Sequence, residues 1–369
     1  MVRARPRDAV AILVGCALAS CAHRHEGPTV PGLDVAGVAE LLGPNAVDRE
    51  GWANDIVVAI RMTKKEPTPE RACAVIAVIE QESSYQADPV VPNLPPIVMK
   101  ALRDKLAPLG PFAKPTLDAI LDHEMRARIG RLRTERDLDR LFRETISARL
   151  PAAVTSLTGI EDLNPVTTAG SMQVQVAFAR QLSGMDDADV RDLLYTRAGG
   201  VRFGTARLLG YSAGYDDLIY RFADYNAGMY ASRNAAFQHQ LAQLVGTKLA
   251  LDGDLLNYRD PVNSRTLAAA VAFGALHGMS ERDVRRDLEE EKTPDFDDTE
   301  LWHAVRDAWQ QKTGRAAPYA RVPDVTLASP KMSRTRTTAW FAESVKKRYA
   351  ACRRRQGAMS PNSRISLTN

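Results

Sequence analysis

Cysteine, histidine and aromatic residues are scarce in this chain of 369 residues, which contains four Cys, six His and 6% aromatic residues. The His residues are scattered and show none of the spacings that metal ligands take, so the sequence predicts no metal site and no cofactor. It contains no internal repeat and no heptad pattern. With 45% apolar residues, the chain can bury the core of one or two domains.

The N-terminus carries a short apolar run that is not a membrane span. Three Arg within the first seven residues precede the apolar residues 9–19, and the run ends in Leu18-Ala19-Ser20-Cys21. Because the run is too short to cross a bilayer, we predict that residues 1–20 form a secretory signal peptide with a lipoprotein cleavage box. An ordinary signal peptide that happens to contain a Cys is the alternative.

The thiol of Cys21 is the group in this box that can take a thioether-linked lipid. By resemblance to bacterial lipoproteins, Cys21 would carry several acyl chains, which give lasting attachment to a membrane. The residue after the Cys is Ala22. An Asp at that position would favour the inner membrane. The predicted location is therefore the cell envelope, with the protein lipid-anchored at the periplasmic face of the outer membrane.

The chain that would remain after cleavage has little net charge and two cysteines. Its formal charge falls from +4 to +2, since three Arg and one Asp leave with the signal peptide. A nearly neutral protein is not expected to bind nucleic acid. Cys73 and Cys352 could form a disulfide in an exported protein. Cys73 also lies in an apolar run, so a buried free thiol is the alternative.

Three short stretches carry the residue types that an acid catalyst acting on a sugar needs. They are Ile79–Ala87 (IEQESSYQA), Ala169–Val174 (AGSMQV) and Ala223–Gly228 (ADYNAG). Glu82 ends an apolar segment, and a carboxylate where packing meets a polar surface can stay protonated near neutral pH. Glu82 is therefore the candidate general acid; a carboxylate that caps a helix end and pairs with an Arg is the alternative.

In this order, the stretches resemble the soluble lytic transglycosylases and the goose-type lysozymes. The corresponding motifs of that superfamily are Glu-Ser followed by an aromatic residue, Gly-Leu-Met-Gln, and Ala-Tyr-Asn-Ala-Gly. A weaker intermediate motif matches Gly200-Val201-Arg202-Phe203-Gly204 without the expected preceding Asn. The resemblance covers about residues 66–235. The sequence departs from the superfamily at Ser171 and Asp224. The spacing between its first two motifs is also several times the usual spacing.

The resemblance implies a mainly α protein with a lysozyme-like helical catalytic domain, a helical insertion and a C-terminal helical extension. It implies cleavage of the β-1,4 bond between MurNAc and GlcNAc in peptidoglycan glycan strands, with a 1,6-anhydro product. Glu82 would act first as acid and then as base. The residues implied in substrate binding or in positioning Glu82 are Ser83, Met172, Gln173, Tyr225 and Asn226.

Several alternatives remain open at these positions. Ser83 can be a helix C-cap, Met172 can be core filler, and Ser171 is expected to change one wall of the cleft. Hydrolysis would need a second carboxylate; Glu161, Asp162 and Asp224 are the candidates, with surface placement more expected for all three. The Ser171 substitution and the long insertion also fit a lipid-anchored scaffold that binds glycan without cleaving it.

Helical spacing of the apolar residues dominates the chain. Thr68-Pro69-Glu70 predicts a helix start, but the β-branched run 72–79 also has the length of a buried strand. The cap and the resemblance favour a helix. On that helix Glu82 shares a stripe with Val75, Val78 and Ile79, whereas Glu80 points away, to solvent or a salt partner.

The predicted organisation has five parts. They are a signal peptide at 1–20, a tether and N-terminal helical region at 21–65, a lysozyme-like domain at 66–250 with its insertion at about 92–165, a C-terminal helical region at 251–352, and a disordered basic tail at 353–369. Within the insertion, helices are expected near 97–106, 116–128 and 135–148; a further helix is expected at 172–183.

Overall fold

The computed structural model describes residues 32–146, 164–257, 264–327 and 335–359. These residues are mainly helical, which confirms the predicted fold class. The predicted lipid site Cys21, the candidate carboxylates Glu161 and Asp162, and the last ten residues lie outside the described ranges. Among the helices within those ranges, none has both the length and the apolar character needed to cross a membrane.

The first half of the described chain is a series of helices. Two irregular turns also occur there, a 3-10 helix at Ala107–Phe112 and a π-helical turn at Phe142–Ile146. The helices are α1 (Val35–Leu41), α2 (Arg49–Met62), α3 (Pro69–Glu82), α4 (Leu94–Leu106), α5 (Ala113–Ile120), α6 (His123–Ile129) and α7 (Glu135–Leu141).

The second half adds two short antiparallel hairpins. In the first, Thr168 pairs with Gln175; in the second, Thr326 pairs with Thr337. The elements are β1 (Thr168–Ala169), β2 (Val174–Gln175), α8 (Val176–Ser183), α9 (Asp187–Leu194), α10 (Arg197–Leu209), α11 (Leu218–Ala227), α12 (Ala231–Val245), α13 (Arg265–Leu276), α14 (Glu281–Glu289), α15 (Glu300–Thr313), β3 (Thr326–Leu327), β4 (Arg336–Thr337) and α16 (Thr338–Met359), with 3-10 turns at Glu290–Lys292 and Pro294–Asp298 between α14 and α15.

Three apolar clusters hold these elements together. The main cluster joins α1–α3 with α8–α11 and α16. The insertion builds a second cluster of its own from α4–α7, and α12–α15 build the third. The insertion is thus a helical subdomain with its own core, because its apolar residues pack mainly on one another.

Helix α3 forms where the sequence left strand and helix in conflict. The hydroxyl of Thr68 accepts a hydrogen bond from the Arg71 backbone N–H, and Pro69 occupies the first turn. Residues 72–79 are all buried, so the helix is enclosed on every side. A helix buried all round has no polar face, which is why its sequence looks like a buried strand.

The position of Glu80 on α3 agrees with the predicted separation of the two carboxylates. Its Oε1 lies 3.1 Å from Nη2 of Arg355 and accepts a hydrogen bond of 3.0 Å from the Tyr85 hydroxyl. Glu80 is therefore tied to a salt partner. Glu82 lines a cleft, as described below.

The C-terminal part is organised differently from the prediction. The region predicted as one unit at 251–352 divides between two clusters, because α16 returns to the main core. Helix α16 also continues to Met359, so the tail is helical from Arg353 to Met359 rather than disordered. Arg353 forms an ion pair with Glu70 there, and Arg355 donates to the carbonyl of Leu41.

A disulfide joins α16 to α3. The sulfurs of Cys73 and Cys352 are bonded and their Cα atoms lie 5.5 Å apart. Of the two alternatives that the sequence left open, the structure has the disulfide.

Some helix boundaries differ from the predicted ones for local reasons. The helix expected at 172–183 begins only at Val176, because Gly170 and Gln173 have positive φ (+79° and +50°) and form the turn between β1 and β2. The helix expected at 116–128 breaks after Ile120, where the Asp122 side chain caps a new helix. In place of one helix at 135–148, α7 ends at Leu141 and the π-helical turn follows.

Candidate active site

A cleft of about 700 Å³ lies where the three motifs, the insertion and the C-terminal segment meet. Several parts of the fold supply residues to its lining. They are Gln81 and Glu82 from α3; Thr168, Gln173 and Gln175 from the first hairpin; Arg207 from α10; Tyr225 and Asn226 from α11; residues 89–92 and Glu135 from the insertion; and Thr326, Leu327, Arg336, Trp340 and Phe341 from the C-terminal segment.

Glu82 is the last residue of α3 and lines this cleft. The following residue, Ser83, ends the helix: its backbone N–H and its hydroxyl both donate to the carbonyl of Ile79, at 3.0 and 3.3 Å. Ser83 is buried and is not part of the cleft lining. The structure therefore places Ser83 as the helix C-cap, beside Glu82 and behind the wall.

The aromatic residue of the first motif also lies away from the cleft. Ser84 and Tyr85 have positive φ (50° and 65°), so the chain turns sharply after the helix. The Tyr85 ring packs edge-on against Trp52 at 5.5 Å, and its hydroxyl accepts a hydrogen bond from the Gly43 backbone. This turn fixes the end of α3, and hence the position of Glu82.

The second motif packs its first residues against α10. A Cβ atom added to Gly200 would lie 2.7 Å from the Ser171 hydroxyl oxygen, and one added to Gly204 would overlap the Met172 side chain. Both Ser171 and Met172 are fully buried. Ser171 is therefore not a wall of the cleft, contrary to expectation, and Met172 fills the core. The intermediate motif supplies the glycines that make this close approach possible.

Gln173, the last residue of the second motif, lines the cleft in a fixed orientation. Its Nε2 donates to Oε2 of Glu135 at 2.9 Å, and its Oε1 accepts from the Thr168 hydroxyl at 2.9 Å. Glu135 is only 4% exposed. A carboxylate of the insertion thus holds the amide of a motif residue through a charge-assisted hydrogen bond.

Glu135 was not found by sequence reasoning. It is the first residue of α7, next to the N-cap Thr134, and an acidic residue at that position normally indicates only a helix start. The isolated bridge between Val90 and Thr134 brings this helix end to the cleft. That bridge joins distant parts of the chain, so no local pattern announces it.

The third motif ties α11 to the second motif. The Tyr225 hydroxyl donates to the carbonyl of Met172 at 2.7 Å. Burial, and next the negative charge of Glu82, raise the pKa of the Tyr225 phenol well above its ordinary value. The phenol therefore stays protonated as a donor near Glu82. The Asn226 side-chain oxygen accepts from the Thr338 hydroxyl at 3.0 Å, which links the motif to α16.

Asp224, the proposed second carboxylate, is buried rather than at the surface as expected. It is 1% exposed and accepts hydrogen bonds from the hydroxyls of Tyr211 (3.0 Å) and Tyr215 (2.6 Å) and from the Ser232 backbone (2.6 Å). Burial raises the pKa of its carboxyl group. Asp224 is absent from the cleft lining and serves to join α11 to the start of α12.

The structure thus brings Glu82, Gln173, Tyr225 and Asn226 together in the cleft, while Ser83 and Met172 lie behind it. Within the described residues, no group of three or more His, Cys, Asp or Glu side chains is placed to hold a metal ion. The polar residues of the cleft lining carry carboxyl, amide, hydroxyl, phenol, indole and guanidinium groups, all of which can form hydrogen bonds.

The fold and the cleft define a helical protein in which an insertion and a C-terminal helix complete a site built on three dispersed motifs. Residues 45–355 match the family described as a protein of unknown function (DUF1615), and the chain belongs to that family. It is similar to the Uncharacterized protein YaiW of Escherichia coli (strain K12), with 40% identity over 365 residues that cover 95% of this chain and 99% of that protein. No solved structure matches the chain.

Proposed function

We propose that this protein is a membrane-anchored peptidoglycan lytic transglycosylase that cleaves the β-1,4 bond between MurNAc and GlcNAc, with Glu82 as general acid and base. One observation carries the proposal. Glu82, Gln173, Tyr225 and Asn226 come from three motifs far apart in the sequence, yet they line the same cleft. This shared placement supports the proposal, which starts from the resemblance of those motifs to the lytic transglycosylases.

The proposed reaction needs one titrating group that acts twice. The Glu82 carboxyl group donates its proton to the glycosidic oxygen as the bond from that oxygen to C1 breaks. The resulting carboxylate then takes the proton of the muramoyl C6 hydroxyl, while O6 bonds to C1. Glu82 ends protonated, no water is consumed, and the product is a 1,6-anhydro sugar.

The neighbours of Glu82 support these roles. Glu82 stands at the end of a helix whose residues 72–79 are buried, and it lines the cleft together with Tyr225. The Tyr225 phenol remains protonated and is fixed on Met172. In this proposal Gln173, Tyr225 and Asn226 position the sugar and Glu82.

Hydrolysis to a reducing end is the second candidate, because Glu135 places another carboxylate in the cleft lining. A second carboxylate can activate water or act as a nucleophile. Its hydrogen bond to Gln173 indicates a positioning role instead, so the anhydro product is preferred.

Mass spectrometry of fragments released from peptidoglycan sacculi tests the proposal. The full-length protein in detergent is compared with Glu82→Gln and with the matched control Glu80→Gln, whose carboxylate is on the same helix but paired with Arg355. Anhydromuramoyl fragments from wild type and Glu80→Gln, and none from Glu82→Gln, are expected. Equal activity in Glu82→Gln would remove this residue from the acid role.

The other outcomes of the same experiment are equally clear. Reducing ends that disappear in Glu135→Gln would establish hydrolysis. No fragments from any form, with the protein sedimenting with the sacculi, would favour a lipid-anchored scaffold that binds glycan without cleaving it.

We further propose that acylation of Cys21 holds the protein at the periplasmic face of the outer membrane. The support is the Leu18-Ala19-Ser20-Cys21 box after a short apolar run. Fractionation of cells that express Cys21→Ser is the test: the variant should lose its membrane association, and a variant that stays in the membrane fraction would contradict the anchor.

A further inference from the structure

The C-terminal segment supplies one wall of the cleft with an aromatic ring and a positive charge. Arg336 lies on β4 and Trp340 in the first turn of α16, outside all three motifs. The Arg336 guanidinium stands 3.6 Å from the centroid of the Trp340 ring. Trp340 is 39% exposed although it lines a cleft. An exposed Trp in a concave site is a binding feature rather than a packing one.

The two basic side chains of the cleft lining differ in what they can offer a ligand. Arg207 is buried and its Nε donates to the Tyr225 carbonyl at 2.9 Å. Arg336 is half-buried, and in the described part of the chain no carboxylate pairs with it. Its guanidinium contacts the Trp340 ring. The planar fork of N–H donors is the part that binds carboxylates.

This wall is fixed relative to Glu82. Thr337 pairs with Thr326 in the hairpin, and the Thr338 hydroxyl donates to Asn226 at 3.0 Å. Further along α16 the Ser344 hydroxyl donates to Gln81 at 2.8 Å, one residue before Glu82. A ligand group held at the wall would therefore be held in the same cleft as Glu82 by a preorganised surface.

We propose that Arg336 and Trp340 select saccharides that carry a carboxylate, with the sugar ring against Trp340 and the carboxylate on Arg336. The inference rests on the proposed function and narrows its substrate class. Each MurNAc residue bears a lactyl carboxylate, which is free in denuded glycan and is replaced by the carboxylates of the peptide stem in substituted glycan. Polymers of GlcNAc alone carry none.

Binding measured in the Glu82→Gln background tests this apart from turnover. The full-length protein is titrated calorimetrically with three tetrasaccharides: chitotetraose, denuded GlcNAc–MurNAc, and peptide-bearing GlcNAc–MurNAc. At least one carboxylate ligand should bind about tenfold or more tightly than chitotetraose, since a charge-assisted hydrogen bond is of that order. If the denuded saccharide binds more tightly, Arg336 recognises the lactyl carboxylate. If the peptide-bearing saccharide binds more tightly, it recognises a carboxylate of the peptide stem.

Three variants and a matched control assign the effect. Arg336→Gln should remove the preference and leave chitotetraose binding unchanged, whereas Trp340→Ala should weaken all three ligands. Arg354→Gln, an exposed Arg on the same helix, should bind as the parent does. Arg336→Lys, which keeps the charge but loses the planar fork, should retain part of the preference.

Two results would overturn the inference. One is equal affinity of the parent for all three ligands; the other is a preference that survives in Arg336→Gln. Because no arm depends on cleavage, lack of fragments from sacculi would count against the proposed reaction alone. Loss of the carboxylate preference would count against the Arg336 wall alone.

Discussion

The disulfide between Cys73 and Cys352 should be the largest single contribution to the stability of this fold. It joins α3, which carries Glu82, to α16, which carries Trp340, and the two cysteines are 279 residues apart in the sequence. The perturbation is reduction of the bond in the wild-type protein, compared with the double variant Cys73→Ala/Cys352→Ala.

The expected magnitude follows from the length of the closed loop. In the chain-entropy treatment, a bond that closes a loop of this length lowers the conformational entropy of the unfolded chain and so destabilises it by about 5–6 kcal/mol. Measured losses of stability on removal of a native disulfide are about 2–5 kcal/mol. Both cysteines are fully buried, so the Ala variants also leave small cavities that cost about 1 kcal/mol each. The double variant should therefore be about 2 kcal/mol less stable than reduced wild type.

Equilibrium urea unfolding with and without reductant is the assay. Wild type should lose about 2–5 kcal/mol on reduction, which at a slope of about 3 kcal/mol/M lowers the midpoint by about 0.7–1.7 M. The double variant should not respond to reductant, which controls for other effects of the reagent. Coincident wild-type curves, together with alkylated Cys73 and Cys352 peptides in an unreduced digest, would refute the reasoning.

Three further predictions concern single side chains near the cleft. Tyr225→Phe removes the 2.7 Å hydrogen bond to the Met172 carbonyl and should cost about 1–3 kcal/mol in urea unfolding, since a buried acceptor is left unpaired; an unchanged midpoint would contradict this. Glu135→Gln replaces a buried charge-assisted bond to Gln173 and should cost about 1.5–3 kcal/mol in the same assay, whereas no loss would mean that the contact contributes nothing. Asp224 has a raised pKa in the folded state, so the folded protein binds its proton more tightly and wild-type stability should fall as pH rises above the ordinary value of 3.8. Asp224→Asn should show a flatter pH dependence of stability from that pH upward, and an identical slope would show that this carboxyl group is not responsible.

The mainly helical fold and the course of α3 were predictable from the sequence. The Thr-Pro-Glu start and the position of Glu82 on a stripe with Val75, Val78 and Ile79 are local features, and α3 has them. A salt partner for Glu80 was one of the expected contacts, but the sequence did not indicate that the partner is Arg355. That partner comes from the far end of the chain, where composition alone indicated disorder.

The candidate site was predictable only in the parts that the motifs carry. Glu135 enters the cleft because the insertion folds on its own core and returns through the bridge between Val90 and Thr134. Arg336 and Trp340 enter it because α16 packs along α3. Each of these placements depends on tertiary packing between segments far apart in sequence, and no local spacing encodes it. Asp224 was misplaced for the related reason that its buried tyrosine partners come from outside its own helix.

The extent of the family match bears on which parts of the chain form the functional unit. The match runs from residue 45 to 355, and so includes the insertion and most of α16 as well as the motifs. The insertion holds Gln173 through Glu135, and α16 holds Asn226 through Thr338. Two of the four motif residues that line the cleft are therefore oriented by segments that carry none of the three motifs. A site of this kind depends on the whole matched region, because removing either segment would leave a motif residue without the group that orients it.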